Sequence, residues 1–385
     1  MMLFPRLPSF SAWSMSIVET YPHLSALPPE ADPVFRLAMQ AGGLFMARPW
    51  FDNLAACGFG SQPALRIYGV RDHAAADLAL LLPLRHVAGR FGLRRLEGLA
   101  NWYSALYGVL AAPGDAARTH LALLARAVAA ERPRWDVLDL HPLDPSDPLF
   151  DPLLEALRSA GMATQRYFSF VNWYLDVAGR SYDAYAATLP SRLKNTLKRR
   201  GRQLEKSGRA RFEIVTGGAP LAQAIAAYEA VYARSWKNPE PTPAFMPGLM
   251  RTCAAQGWLR LGIATVDDMP AAAQLWIVCG GVASIYKLAY DEQFASLSIG
   301  SLLTERLMRH VIDIDRVREV DYLTGDDAYK RDWMSASRDR CGIVAFNLRS
   351  PRGLAAAVLH LGGGRIKAFL RRLKLAFTDR RNRRV

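Results

Sequence analysis

The fold of this chain is decided by the stretch VASIYKLAYDEQFASLSIGSLLTE, residues 282–305. Val282 to Tyr290 is rich in β-branched and aromatic residues and reads as a strand. A few polar residues follow, and Leu303, Leu307, Val311 and Ile314 then recur at helical spacing. One glycine, Gly300, sits at the mouth of that helix. A helix start leaves backbone N–H groups without intrahelical partners and is electropositive. Gly300 removes the Cβ that would hold a phosphate away from the backbone, and Ser298 and Ser301 add hydroxyls. The dipole alone contributes only about 0.3–1 kcal/mol at an exposed site. A glycine with two serines also describes an ordinary capped helix, so the surrounding order of elements has to choose.

That order is regular. FEIVT (212–216) reads as a strand, APLAQAIAAYEAVYARSW (219–236) as a helix with Pro220 near its first turn, and AFMPGLMRTCAAQG (244–257) as a second helix ending at Gly257. WLRLGIATV, AAAQLWIVC and ASIYKLAYD are three successive strands whose links, DDMP and GG, suit antiparallel hairpins. After the Gly300 helix come the strand REVDYLT, a helix over DDAYKRDWMSAS and the strand CGIVAFNL. The order is β-α-α-β-β-β-α-β-α-β.

The N-terminal half is also mixed. Residues 1 to about 30 read as a loosely structured lead, without the basic start and unbroken apolar core of a signal peptide. ALRIYGV and ADLALLLPL pair across RDHAA, LRRLEGLA adds a third strand, and AARTHLALLARAVAA is a helix. WDVLDL is a strand, PLLEALRSAG a helix ending at Gly161, and TQRYFSFVNWYLDV a strand, closing the half near Gly179. The longest apolar run, Leu78 to Leu84, is far short of the ~20 residues of a membrane helix. Four dispersed cysteines without a CxxC pair suggest neither a disulfide framework nor a structural zinc site and fit a reducing cytoplasm; seven scattered histidines without HExxH spacing argue against a metal enzyme.

The net charge of +14 is concentrated. Residues 192–211 and 365–384 each hold nine Lys or Arg against one acid, leaving −2 for everything else. That pattern indicates two local anionic contacts rather than a surface that coats nucleic acid. In the first segment Leu193, Leu197 and Leu204 form one helical stripe and Arg192, Arg199, Arg202 and Lys206 another face. It is either a solvated connecting helix or an anion-contacting surface. In the second, Ile366, Phe369, Leu370, Leu373 and Phe377 form an apolar stripe flanked by Arg and Lys, a pattern that suits an anionic membrane surface, a partner, or packing on its own domain.

Three antiparallel strands, a glycine-opened helix, then strand, helix and strand resemble the GNAT acyltransferase fold. The motifs Y-x-L-x-Y-D (Tyr286, Leu288, Tyr290, Asp291), S-x-G-x-x-L (Ser298, Gly300, Leu303) and D-x-x-x-G-D-x-x-Y-K (Asp321, Gly325, Asp326, Tyr329, Lys330) resemble the GNAT branch associated with cellulose and exopolysaccharide biosynthesis, as does LPSRLKNTLKRR. The resemblance runs from about Asp32 to Asn347. It implies an α+β mixed sheet of two GNAT-like halves in tandem, as in Fem-type aminoacyltransferases. The expected division is a lead (1–30), a degenerate half (31–188) not expected to hold CoA, a basic connecting helix (189–210), an acyl-CoA-binding half (211–349) and a basic amphipathic tail (350–385).

The resemblance further implies acetyl-CoA or another acyl-CoA as co-substrate and no metal. Leu288 and Tyr290 would lie along its pantetheine arm, and Ser298, Ile299, Gly300, Ser301 and Leu302 at its pyrophosphate. The usual Q/R-x-x-G-x-G/A loop is shortened here to SLSIGS. Acyl transfer needs a deprotonated nucleophile, a polarised carbonyl and a proton for the leaving thiolate. Asp326 or Asp327 is the expected base, Tyr329 the expected proton donor and Lys330 an anion-binding group. Trp236 and Lys237 are the expected acceptor-binding residues. The expected partner is a small-molecule, glycan or amine acceptor, in a cytoplasmic enzyme peripheral to the membrane's inner face. Two other readings stand beside this one: a Fem-like aminoacyltransferase drawing on tRNA through the basic helix, and a non-catalytic scaffold held at a membrane by its tail. No G-x-S-x-G and no G-x-G-x-x-G after a strand is present, which excludes serine-hydrolase and Rossmann readings.

Overall fold

The computed structural model describes residues 16–71, 78–111 and 115–362. The amphipathic tail predicted at 365–384 lies outside them, as do residues 1–15 of the lead. The first half consists of β1 (Ile17–Tyr21), α1 (Ala31–Gly42), α2 (Arg48–Cys57), β2 (Ala64–Arg71), β3 (Leu78–Ala88), β4 (Arg94–Gly98), β5 (Leu110–Ala111), α3 (Asp115–Ala130), β6 (Val137–Leu143), α4 (Phe150–Ser159) and β7 (Met162–Asp176). α5 (Tyr182–Thr188) and the basic α6 (Ser191–Ser207) connect the halves. The second half is β8 (Ala210–Val215), α7 (Leu221–Ala233), α8 (Phe245–Ala255), β9 (Leu259–Val266), β10 (Met269–Cys279), β11 (Val282–Tyr290), α9 (Ile299–Arg309), β12 (Glu319–Thr324), α10 (Ala328–Trp333) and β13 (Ala336–Asn347), followed by α11 (Pro351–Ala357).

Apart from the short β5, the two halves repeat one order of elements, the one read from the second half's sequence. In the β9–β10–β11 meander both connections are two-residue turns, Asp267–Asp268 and Gly280–Gly281, with positive φ at all four residues. That geometry matches the twist of the strands it joins. Only β4–β6 and β11–β12 are parallel, each bridged by one helix.

The strand order is β1-β2-β3-β4-β6-β13-β7-β12-β11-β10-β9-β8, with β5 beside β3. The last strand of each half has therefore crossed to the other. β7 pairs with β12 and β13 pairs with β6, and the two exchanged strands pair with each other over the length of β13. One mixed α+β sheet results, and neither half completes its sheet alone. One continuous core joins α1, α2, α3 and α4 of the first half to α7 and α8 of the second. A second core on the other face is closed by α5, α6, α9 and α10. Leu197 and Leu204 of α6 bury into it, while Arg192, Arg199, Arg202 and Lys206 face solvent.

Buried polar side chains fasten the exchange. Asn172 of β7 donates to Leu323 O at 2.9 Å and to the carboxylate of Asp321. Arg338 of β13 donates to Asn172 Oδ1 at 2.6 Å, to Glu319 at 2.6 Å and to Asp321 at 2.7 Å. The buried Arg340 guanidinium pairs with Asp144, just beyond β6. Strands from both halves thus share one network.

Four expectations change. Residues 17–21 of the lead form a strand beside β2, where Glu19 pairs with Arg71 at 3.2 Å; five residues are too few to show an alternating pattern. The unassigned stretch after residue 30 forms α1 and α2, which bury Phe35, Trp50, Phe51 and Leu54. Ile314 leaves the stripe of Leu303, Leu307 and Val311 and is 68% exposed, because residues 310–314 wind as a π turn and advance the register. The helix read over DDAYKRDWMSAS stops at Trp333, since Ala336 already belongs to the exchanged strand β13.

Replacing Arg338 with Met leaves Glu319 and Asp321 without their cation at the exchanged strands. We expect a loss of about 3 kcal/mol in urea unfolding, the low end for breaking a buried ion pair because the site is partly solvated.

Candidate functional site

The pairing that makes β11 and β12 parallel lasts for three residues, Val282–Ser284 against Glu319–Asp321. Beyond it the strands part. A β-bulge in β11 opposite Leu275 and Trp276 inserts Tyr286 as an extra residue, the kind of defect that re-aims side chains at sites. Tyr286 O–H donates to Tyr103 O at 2.9 Å, and Lys287 Nζ pairs with Glu240 at 2.8 Å. On the other side β12 departs from regular geometry at Leu323, with φ 56°, and at Gly325, with φ 106°. Asp321 holds that kink by accepting from Leu323 N at 2.6 Å.

A cavity of about 230 Å³ occupies the gap. Its walls are β11 from Ile285 to Leu288, β12 from Tyr322 to Thr324, α10 through Tyr329 and Lys330, and Lys237 and Asp327 from the loops. Trp102 and Tyr103 of the first half complete it. They come from the segment after β4, which fills the corresponding gap in the first half. There Tyr107 N–H donates to Pro142 O in β6, its O–H donates to Pro83 O at 2.6 Å, and its ring lies where a Cβ on Gly98 would be.

The cavity is dominated by lysines. Lys330, buried, donates to Thr324 O and lies 3.2 Å from Asp327. Burial lowers its pKa, and Asp327 opposes the shift. Burial pushes the Glu240 carboxyl up, but Lys287 together with hydrogen bonds from Tyr232 and Tyr103 more than offsets it, so Glu240 lies below its ordinary range. Lys237 makes no ion pair among the described residues; its ammonium lies 5.7 Å from the centre of the Trp236 ring. Burial, reinforced by the charge of Lys287, lowers it from 10.5 to about 8. Tyr329 packs edge-on against Tyr322, and burial raises its phenol to about 12.

The predicted residues divide. Lys237, Leu288, Tyr329 and Lys330 meet in the cavity. Asp326 lies outside it, accepting from Trp173 Nε1 at 2.7 Å and from Arg331 at 2.8 Å, with its pKa lowered mainly by Arg331. Asp327 is the aspartate that lines the cavity. Trp236 stands beside the cavity with its ring 4.7 Å from that of Tyr290. Tyr290 in turn covers Gly300, where a Cβ would lie 3.2 Å from its ring, so the glycine also serves packing. Ser298, in a left-handed conformation with φ 56°, and Ser301 are half-buried at the start of α9. Ile299 and Leu302 bury their side chains in the core, so a ligand at this helix start would meet their backbone alone.

Sequence reasoning missed Trp102, Tyr103, Glu240 and Gln274. Gln274, buried in β10, donates to Gly300 O at 2.9 Å and to Thr304 at 2.9 Å, and accepts from Trp276 Nε1, which fixes the start of α9 against the sheet. Its signal was a lone amide inside the apolar run AAAQLWIVC. α6 runs parallel to α9: Gly201 lies at Leu302 and Glu205 pairs with Arg306 at 3.3 Å. That register sets Lys198, Arg199 and Arg200 level with Ile299, Gly300 and Ser301, and carries the first turns of α6 past the start of α9.

Residues 191–331 match the family described as the acetyltransferase (GNAT) domain. Among solved structures, the fold is similar to the crystal structure of FemX, with a TM-score of 0.61 at 9% identity over 86% of this chain and 98% of that one. A conserved protein of unknown function from Bacteroides thetaiotaomicron VPI-5482 gives 0.52 at 9% identity over 86% of this chain and 100% of that one. At these identities the likeness is one of fold, two GNAT-like units in tandem. No curated protein matches the chain. Among the described residues, no helix is long and apolar enough to cross a membrane.

Lys237 gives a test of the cavity's electrostatics. Because its folded pKa of about 8 lies below its ordinary 10.5, the unfolded chain binds more protons between those values, and stability rises with pH across that window. Below about 8 the penalty is fully present. Lys237→Met is expected to gain on the order of 1–2 kcal/mol at pH 7, after discounting for water that still reaches the amine. Urea unfolding at pH 7 and 9.5 checks that the gain shrinks at the higher pH.

Proposed function

We propose that this chain transfers an acyl group from acyl-CoA to an amine or hydroxyl acceptor in the cavity between β11 and β12. The observation that carries the reading is the parting of those strands after Ser284 and Asp321, directly upstream of the Gly300 helix start. The edge of β11 facing the gap has no ladder partner beyond Ser284, so it can hydrogen-bond an extended pantetheine arm. The start of α9 offers backbone N–H groups without a side chain at Gly300, with the cationic turns of α6 alongside. These features fit a diphosphate at one end of the gap and a thioester at the other.

Acyl-CoA supplies the activated carbonyl; the cavity residues supply the rest. Lys237 titrates near neutrality, so a useful fraction is neutral amine and able to take the proton from the acceptor. Lys330, fixed by Thr324 O and Asp327, presents a positive charge where the carbonyl oxygen becomes negative. Tyr329 keeps its proton across the working pH range and can give it to the departing thiolate. Trp102 and Tyr329 offer aromatic surface to the acceptor, and a glycan or cell-envelope acceptor accords with the motifs shared with the polysaccharide-associated branch.

A donor borne on tRNA is the second reading. The exposed Arg and Lys face of α6 beside the start of α9 favours it, and binding would then fall steeply with salt.

Calorimetric titration with acetyl-CoA and longer acyl-CoAs should give micromolar binding, lost in folded Gly300→Glu, which places bulk and negative charge at the helix start. Absence of binding by the native chain would overturn the CoA reading in favour of tRNA. With an acceptor in hand, kcat/KM should rise with pH and level off above about 8, following Lys237 as it loses its proton. Lys237→Met should abolish that limb and cost roughly 100-fold in kcat.

A further inference from the structure

The outward face of the last described helix has no partner among the described residues. Gly353 and Ala357 bury one side of α11 against β13, but Leu354, Val358 and Leu359 point away from the protein, the last two 64% and 78% exposed. Pro351 and Ala355 share that exposed arc, so no polar side chain interrupts it. Next to it, at the turn after β3, Phe91 is held in a left-handed conformation with φ 59° and is 90% exposed. Arg352, at the edge of the arc, donates to Gly92 O at 2.9 Å and so ties this turn to the helix. Arg90 covers one side of the Phe91 ring at 5.5 Å.

The charge around this surface has one sign. From Leu348 to the end, the sequence holds eleven Lys or Arg against one acid, Asp379. In sequence, the apolar face thus leads directly into one of the two most cationic segments of the chain. A second copy of this surface, or the cationic tail folded back on it, would bring like charges together. A negatively charged surface that also accepts buried apolar side chains complements it.

We propose that the face of α11 and the Phe91 turn dock on an anionic lipid bilayer. Leu354, Val358, Leu359 and Phe91 enter the headgroup–acyl boundary, while Arg90 and Arg352 meet the phosphates and the basic composition of the sequence after them adds long-range attraction. Apolar insertion and electrostatic attraction are then both needed. The proposal does not depend on the acyl-transfer reading, because its test measures binding to lipid alone.

The experiment is co-sedimentation of the full chain with vesicles of phosphatidylcholine containing phosphatidylglycerol, and with vesicles of phosphatidylcholine alone, at 0.05–0.5 M salt. The native chain should bind the anionic vesicles at least tenfold more strongly than the neutral ones, and less as salt rises. A variant combining L354S, V358S and L359S with F91N keeps the net charge and replaces only exposed side chains; Asn also tolerates the conformation at residue 91. It should lose tenfold or more in partitioning, with an unchanged circular dichroism spectrum. Equal binding by that variant would overturn the role of this face and leave attraction to be explained by charge alone. Equal binding to neutral and anionic vesicles would overturn the lipid charge requirement. No vesicle binding, with a dimer in gel filtration that the variant abolishes, would assign the face to a second copy instead.

Discussion

The structure depends on the antiparallel pairing of β7 with β13, two strands that have each left their own half. Everything that makes a site follows from that pairing. It brings β12 up against Asn172, and it places Arg338 between Glu319 and Asp321, so that the end of β12 is held in a kink. Buried ion pairs add little net stability but penalise any arrangement that leaves a member unpaired. Here they select the exchanged register over one in which each half closes on itself. The polar network sits next to the gap between β11 and β12, and Leu323 belongs to both its framework and the cavity wall.

The two halves differ in what occupies the gap beside their parallel pair. Both halves contain a parallel pair that separates after three residues. In the first half the chain after β4 folds into the gap, with Tyr107 as its plug. The same segment continues to Trp102 and Tyr103, which wall the second half's cavity, and Tyr103 stacks on Phe245 of α8 at 3.9 Å. The first half is thus a structural part of the cavity wall. Lys287 and Lys330 have Glu240 and Asp327 as ion-pair partners, whereas Lys237, without an ion pair among the described residues, loses its proton more readily because of burial and then the charge of Lys287.

Local chemistry made much of the second half legible. Two-residue turns, period-2 runs and the Gly300 helix start each announce themselves within a few residues, and together they gave the element order. α10 was legible as a helix but not in length, because the signal that ends it is the pairing of β13 with a strand far away in sequence. Ile314 was misplaced because a π turn changes the residue period without any change of composition. Asp326 and Asp327 are neighbours with the same side chain, and no sequence pattern distinguishes the one tied to Trp173 and Arg331 from the one facing the cavity.

By itself the sequence determined what propensity, periodicity and turn chemistry determine: a mixed α and β chain, a cationic connecting helix and a glycine-opened helix after a strand, while the tandem of two related halves was implied only by the resemblance to the GNAT fold. Tertiary structure alone decided which half owns β7 and β13, which aspartate meets the cavity, that first-half aromatics complete it and that Lys237 titrates near neutrality. The physical reason is range. Backbone preferences act over a few residues and leave a local imprint, whereas strand exchange, burial and the mutual influence of charges arise between residues brought together only by folding.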